Sequence, residues 1–372
     1  MPGSLTDILP SVGAALGVPG APDRLGLADE LVGVRHVGVL LVDGLGRHLL
    51  ADLAPHAPLL AAVLAGERGR LRELTCTFPS TTPTSLVSFG TGEQPGAHGV
   101  LGFRVNIPGT DRVLTHVAWR GDPPSDTWQP VPTWFQRLAA AGVGAAVVLP
   151  VAFGGSGLTE AAYRGARFCA VRSGEDYPAR FLAEWAAGSG VTYGYHTALD
   201  SAAHGFGVGS EQWVRAAADV DRLLERLVAG CPDDGALVVT ADHGVLNIPA
   251  EGRIDLADDR GLAAGIRVVA GEPRVRYLHT EPGAAADVLH TWRARLGDRA
   301  EVLSRDEAIE SGRFGPVTGA HRGRIGDVVV TCRADLAVLA SGWEPAEVAK
   351  LVGFHGGSDP VELAIPLITF QS

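Results

Sequence analysis

The sequence predicts an α/β fold in which a mostly parallel central sheet carries helices on both faces and a small α+β lobe is inserted. Three observations predict it. Short apolar runs rich in Val and Leu recur at residues 36–43, 145–150, 191–195 and 236–242, as in strands buried on both faces. Amphipathic stretches at 83–91, 133–141, 178–187 and 211–229 alternate with them, the pattern of a doubly wound sheet. From 248 the rhythm changes: 266–270 and 274–279 read as strands, 283–296 as a helix, and 302–311 continues the excursion. The reading therefore assigns 1–247 and 326–372 to a core domain and 248–325 to the inserted lobe. The chain is expected to return to the main sheet through 327–332, 336–340 and a closing strand at 365–370. Residues 95–132, rich in Gly, Pro and Trp, read as an irregular surface excursion.

Composition narrows the function. A chain of 372 residues with 46% hydrophobic content has ample material for a buried core. Its 31 Lys and Arg against 42 Asp and Glu leave a net charge of −11, which argues against a nucleic-acid polymer as partner. Lys350 is the only lysine, so no P-loop exists and only one residue is available for Schiff-base chemistry. Cys76, Cys169, Cys231 and Cys332 form no C-x-x-C pair, so neither a disulfide framework nor a cysteine zinc site is expected. No basic region precedes a long apolar stretch near Met1, and no run approaches 18 apolar residues. The expectation is a cytoplasmic protein with no membrane partner.

The informative residues fall just beyond expected strand ends, where open α/β sheets place ligands. Asp43 follows the first strand in VDGLG; the glycines do not fit a dinucleotide fingerprint, whose third glycine would fall at Leu49. Thr82 precedes Pro83, which suits the first helical position and makes Thr82 an N-cap. A hydroxyl there sits in a positive potential that favours an alkoxide and an incoming phosphate. Asp200 and His204 lie four apart, a spacing at which both can hold one divalent ion. Asp242 and His243 end a buried strand, and Gly244 lets the chain turn so that both point one way. His355 lies between Phe354 and two glycines. Each motif alone also has a purely structural explanation, as a turn or a cap. Together they supply ligands for two ions: one takes Asp200, His204 and His355, the other Asp43, Asp242, His243 and the Thr82 oxygen. Mixed nitrogen and carboxylate donors suit Zn²⁺, with Mn²⁺ the second choice.

The order VDGLG, a Thr-bearing helix start with TG behind it, PGAHG, DSAAHGFG, TADHG and FHGG resembles the alkaline phosphatase superfamily. Within it, the type I phosphodiesterase/nucleotide pyrophosphatase family is the nearest match, from Asp43 to the end of the chain. The resemblance implies an alkaline-phosphatase-like fold, the same two ligand sets, and a hydroxyl nucleophile directed at both metals. Family members place the Thr of the Thr-Gly pair nine positions after the nucleophile, which leads from Thr91 back to Thr82. Thr81 and Thr77 are the alternatives, the latter because Thr77-Phe78-Pro79 matches the family locally. The family's phosphate-binding Asn, about twenty residues on, has no direct counterpart near Phe103; Arg104 and Asn106 stand closest.

The expected reaction is cleavage of a phosphodiester or pyrophosphate bond in a small phosphorylated substrate, a nucleotide among the candidates, through a covalent phospho-threonine. Phosphomonoesterase, phosphonate hydrolase and phosphosugar mutase activities are alternatives, as is a non-catalytic metal-binding module. Trp119, Trp128 and Trp134 stand as candidates to stack a base, and His321, Arg322 and Arg324 read as a solvated basic turn.

Overall fold

Seven of the eight strands of the main sheet come from the first two thirds of the chain: β1 (Gly3–Ser4), β2 (His36–Val42), β3 (Arg70–Thr75), β4 (Gly144–Pro150), β5 (Arg167–Val171), β6 (Gly190–His196) and β7 (Gly235–Thr240). A computed structural model describes residues 3–188 and 190–371. In the lobe lie β8 (Ile266–Glu272), β9 (Val275–Thr280), β10 (Ala300–Ser304) and β11 (Val328–Cys332), and β12 (Ala364–Gln371) then rejoins the main sheet. The order across that sheet is β1-β3-β12-β7-β2-β6-β4-β5. β7, β2, β6, β4 and β5 run parallel, and β12 is antiparallel to both β3 and β7. All of β7, and β2 beyond His36, is buried, as expected of strands with helices on both faces.

The helices pack as their periodicity dictates. Glu211–Ala229 buries Trp213, Ala217, Val220, Leu224 and Leu227 at three- and four-residue spacings. The helix Thr82–Thr91 is buried along its whole length. Gly90 permits this depth, since a Cβ there would stand 1.9 Å from the carbonyl oxygen of Ala162.

In the lobe, the strand order is β8-β9-β11-β10, antiparallel throughout. The 327–332 run, expected in the main sheet, is β11 and pairs here. The 336–340 run supplies Ala337–Leu339, which pairs with Arg253–Asp255. Runs of Val fit any sheet, and nothing in β11 itself distinguishes the two. One face of this small sheet, through Ala270, Val275, Tyr277 and Val329, joins the main core. The other, through Val269, Leu278 and Val330, packs on Val288, Trp292 and Leu296 of the helix Ala285–Leu296. Two covered faces explain its alternating assignment of side chains.

Buried in β9, His279 has no partner for Nε2, and burial pushes its pKa from 6.5 down to about 4. A depressed imidazole withholds a proton that the unfolded chain takes up, so its contribution to stability is lost as pH falls from about 6.5 to 4. His279→Leu is expected to remove that acid-side loss. Thermal melts of both proteins across this range check it: the variant's advantage should grow towards pH 4, and a constant difference would contradict the assignment.

Candidate active site

Three adjacent parallel strands at the centre of the sheet deliver the site. Asp43 follows β2, with its N–H bonded to the His196 carbonyl at the end of β6. Gly44 then adopts φ +72°, which turns its N–H onto Asp242 Oδ1 at 3.1 Å. β7 ends at Thr240, two residues before Asp242 and three before His243. Past β6, the helix Ala198–Phe206 places Asp200 in its first turn and His204 in its last, on one face. The strand ends thus fix ligands that lie far apart in sequence.

The side chains converge. His243 Nε2 lies 3.4 Å from Asp43 Oδ1, 3.5 Å from Asp242 Oδ2 and 3.2 Å from Thr82 Oγ1. Its ring stacks on His355 with centroids 3.7 Å apart. His204 Nε2 is 3.2 Å from both Asp200 Oδ2 and His355 Nε2. Donor atoms of Asp43, Asp242 and His243 fall within 4.8 Å of one another, as do those of Asp200, His243 and His355. His243 therefore stands between the two groups, and His204 joins the second through its two contacts.

The chemistry of this set fits divalent cations. Asp43 Oδ1, Asp200 Oδ1 and Asp242 Oδ2 are buried with no hydrogen-bond partner, a costly arrangement unless something positive faces them. Burial, reinforced by the charges of Asp242 and Asp200, pushes the Asp43 carboxyl well above its usual range. Burial likewise raises Asp242, against the pull of His243. For Asp200 burial acts upward too, but His204, with His355 and His243 behind it, holds the carboxyl below its usual value. His204 answers with a pKa raised to about 9, the pull of Asp200 outweighing burial. Burial and the neighbouring His243 push His355 down.

Second contacts aim the ligands. His204 Nδ1 meets the Gly353 carbonyl at 2.8 Å and His355 Nδ1 the Ser80 carbonyl at 3.0 Å, which leaves both Nε2 atoms facing inward. Tyr195 donates to Asp43 Oδ2, and Ser85 Oγ donates to the Asp242 carbonyl at 2.8 Å. The His355 loop is clamped from beneath: Gly357 N–H donates to Glu362 Oε1 at 2.8 Å, and fully buried Arg274 grips Glu362 at 3.1 and 2.8 Å. Sequence reasoning missed Tyr195, Ser80, Arg274 and Glu362. Tyr195 closes one expected strand and Arg274 opens another; Ser80 and Glu362 carried no positional signal.

Thr82 is the first residue of its helix rather than the N-cap. Thr81 takes the cap position, its carbonyl accepting from Ser85 N–H at 3.0 Å, and Pro83 falls second. The Thr82 hydroxyl is thereby free to face His243 instead of bonding its own helix. Thr77 and Thr81 are also buried, with unpartnered hydroxyls, but only Thr82 of the three lines the cavity over the cluster. That cavity has a volume of about 390 Å³ and is walled also by Asp43, Asp200, His204, His355, Phe103 and Arg104. Glu272 lines it too, and burial raises its carboxyl to about 8. Asn106 is spent on the carbonyls of Thr110 and Arg112 at 2.9 and 3.0 Å, whereas Arg104 faces the cavity.

The excursion at 95–132 is more ordered than its composition suggests. Its hairpin, Arg104–Asn106 against Val113–Thr115, forms part of the cavity wall. None of Trp119, Trp128 and Trp134 lines the cavity; all three are buried in the main core. The basic turn is likewise buried at His321 and Arg324. Arg324 Nη1 binds the carbonyls of Gly99 and Trp128 at 2.7 and 2.9 Å, with its guanidinium 3.6 Å from the Trp128 ring centroid. Internal carbonyls, not solvent, claim those side chains.

Together, the sheet topology and the strand ends that lead into Asp43, Asp200 and Asp242 place a candidate two-metal cluster at the centre of the fold. Murine ectonucleotide pyrophosphatase/phosphodiesterase 5 superposes with a TM-score of 0.72 at 17% identity, covering 91% of this chain and 88% of that one. An inactive Thr-to-Ala form of the murine protein is described in complex with AMP. Phosphonoacetate hydrolase from Sinorhizobium meliloti 1021, in complex with phosphonoformate, gives 0.67 at 20% identity, covering 91% and 90%. No curated protein matches the chain in sequence. Residues 37–358 match the type I phosphodiesterase/nucleotide pyrophosphatase family model. The chain belongs to that family and is a hydrolase of phosphoric ester bonds.

Proposed function

We propose that this enzyme is a two-metal phosphodiesterase or nucleotide pyrophosphatase that cleaves its substrate through a covalent phospho-threonine on Thr82. One observation carries the reading: the Thr82 hydroxyl, at a helix start, stands 3.2 Å from His243 at the edge of a six-ligand cluster with three orphaned carboxylate oxygens. Asp43, Asp242 and His243 would hold one ion and Asp200, His204 and His355 the other, zinc by donor type with manganese the alternative. When bound, such ions neutralise charge on a phosphoryl group and lower the pKa of a hydroxyl beside them.

The chain's own residues do the rest. Thr82 Oγ1 loses its proton to solvent and bonds to phosphorus as the ester oxygen departs on the opposite side and takes a proton from water; a second water then displaces the threonine oxygen from phosphorus, and that oxygen regains a proton. The helix behind Thr82 adds a positive end to the anionic phosphoryl group. Tyr195 and the Gly44 N–H hold Asp43 and Asp242 in place through each cycle. A metal-rich pocket lets an acidic protein accept an anionic substrate. The reading places the enzyme in a reducing compartment, the cytoplasm, supported by the buried thiols of Cys76, Cys169 and Cys332. Among the described residues no helix is long and apolar enough to cross a membrane.

The test is a pair of initial rates on a chromogenic phosphodiester and its matching monoester, with zinc-reconstituted protein. A tenfold or greater preference for the diester is expected. Monoester preference would move the enzyme to phosphatase chemistry on the same cluster, and turnover of neither with two metals bound would overturn the phosphodiesterase reading.

A further inference from the structure

Ser80 stands two residues before Thr82 and makes more contacts to the His355 loop than orienting one imidazole requires. It is fully buried. Its hydroxyl donates to the Gly357 carbonyl at 2.8 Å and accepts the Gly356 N–H at 3.2 Å, using both of its hydrogen-bonding roles. Its carbonyl faces His355 Nδ1 at 3.0 Å. One residue thus meets three consecutive positions, through side chain and backbone together. On its other side the Thr81 carbonyl accepts the Ser85 N–H at 3.0 Å, which fixes the first turn of the helix that opens at Thr82.

The loop has little means of fixing itself. Gly356 adopts φ +116°, and two successive glycines leave the backbone free to wander unless partners hold it. Neither glycine is replaceable: a Cβ at Gly356 would stand 2.7 Å from Glu272 Cδ, and one at Gly357 2.6 Å from Glu362 Oε2. Glu362 reaches only the Gly357 N–H, and Glu272 Oε2 lies 3.7 Å from His355 Nδ1, beyond hydrogen-bond range. Ser80 therefore carries the link between this loop and the nucleophile segment. Its hydroxyl, if removed, leaves a buried N–H and a buried carbonyl unpaired.

We propose that Ser80 is a positioning residue for the reaction: it ties the His355 loop to the segment that carries Thr82, so that the ion held by Asp200, His204 and His355 would keep a fixed place relative to the nucleophile. This rests on the two-metal reading and makes a separate claim about what keeps ligand and nucleophile in register. Partners behind a metal ligand typically contribute about 10- to 100-fold in metal affinity. Misplacement of reacting groups by about 1 Å costs on the order of 10²-fold in rate.

Zinc titrations against a competing chelator test it without substrate, on wild type, Ser80→Ala, Ser80→Thr and Ser88→Ala. Ser88 is an equally buried hydroxyl whose partner, His98 at 2.8 Å, belongs to neither ligand set. Ser80→Ala should bind one of its two zinc ions about tenfold or more weakly than wild type, and the other within about threefold. Ser80→Thr keeps the hydroxyl and should recover part of the loss, while Ser88→Ala should stay within about threefold at both ions. At saturating zinc, kcat of Ser80→Ala on the chromogenic diester should remain about tenfold or more below wild type, with KM within about threefold. Unchanged zinc affinity, an equal loss in Ser88→Ala, or full activity at saturating zinc would overturn the role. Should Ser80→Ala not fold, amide exchange in the wild type decides: the Gly356 N–H should be protected without zinc and more so with it, and free exchange in both states would overturn the role. A wild type that binds two ions and turns over neither ester removes the phosphodiesterase reading alone, because the zinc affinities still decide for Ser80. Turnover with zinc affinities untouched by Ser80→Ala removes the positioning role alone.

Discussion

Thr82→Ala is expected to reduce turnover by about 10³-fold or more, the scale of losses when a catalytic nucleophile is deleted, while the protein still binds two metal ions. The six carboxylate and imidazole ligands survive the substitution, so metal content should stay near wild type even though one oxygen is gone. Thr82→Ser keeps an oxygen at the helix start and should retain measurable activity. Thr81→Ala and Thr77→Ala, whose hydroxyls do not line the cavity, should remain within an order of magnitude of wild type. Rates on the chromogenic diester, with metal content measured on the same samples, decide the matter. A near-normal Thr82→Ala enzyme would pass the nucleophile to Thr81 or Thr77. A phospho-threonine trapped by acid quench and mapped to Thr82 would be the positive counterpart.

The second large effect has opposite signs with and without metal. Asp242 is fully buried. Its Oδ1 takes the Gly44 and His243 N–H groups, and its Oδ2 faces the cluster with no partner. Asp242→Asn keeps the first role and swaps the second oxygen for a donor. In metal-free protein this relieves crowding among three buried carboxylates, so the melting temperature should rise. Metal-loaded, the variant should lose one ion and with it at least about 10²-fold in rate. Wild type gains stability from each bound ion by mass action, about 4 kcal/mol at a thousandfold excess over Kd, and that gain should shrink in the variant. Melts with chelator and with zinc, beside metal analysis, measure both signs. A variant less stable in chelator and unchanged in metal content would make Asp242 a structural carboxylate.

Much of this architecture is legible in the chain because burial on both faces forces continuous apolar runs, as at β2, β6 and β7. Where one face is polar the signal fades. β3 reads Arg-Leu-Arg-Glu-Leu-Thr with most positions exposed or half-buried, and β5 opens on an exposed Arg167; neither stands out as a strand. Direction is also invisible, since nothing local marks β12 as the one strand set against its neighbours. The cluster was more readable than the sheet because its ligands must follow strand ends and keep fixed spacings. The helix start is misread by a single residue, a shift that decides whether the Thr82 hydroxyl caps its helix or points at His243. The tryptophans and the basic turn mislead for another reason: sequence shows what a side chain can bind, while the carbonyls that claim it come from segments far away.

β12 carries a consequence for biosynthesis. It follows every other described strand in the chain, yet it lies between β3 and β7 in the interior of the sheet. While a ribosome is still making the segments before it, β3 and β7 each present an open edge, and the apolar Leu237, Val238 and Val239 of β7 lack their final neighbour. Such edges invite pairing with other nascent chains. His355, on the approach to β12, is likewise made after Asp43, Asp200, His204, Asp242 and His243, so the candidate cluster is completed at the same step. The sheet can therefore close only once β12 has been made, and until then the facing edges of β3 and β7 stay open to other strands.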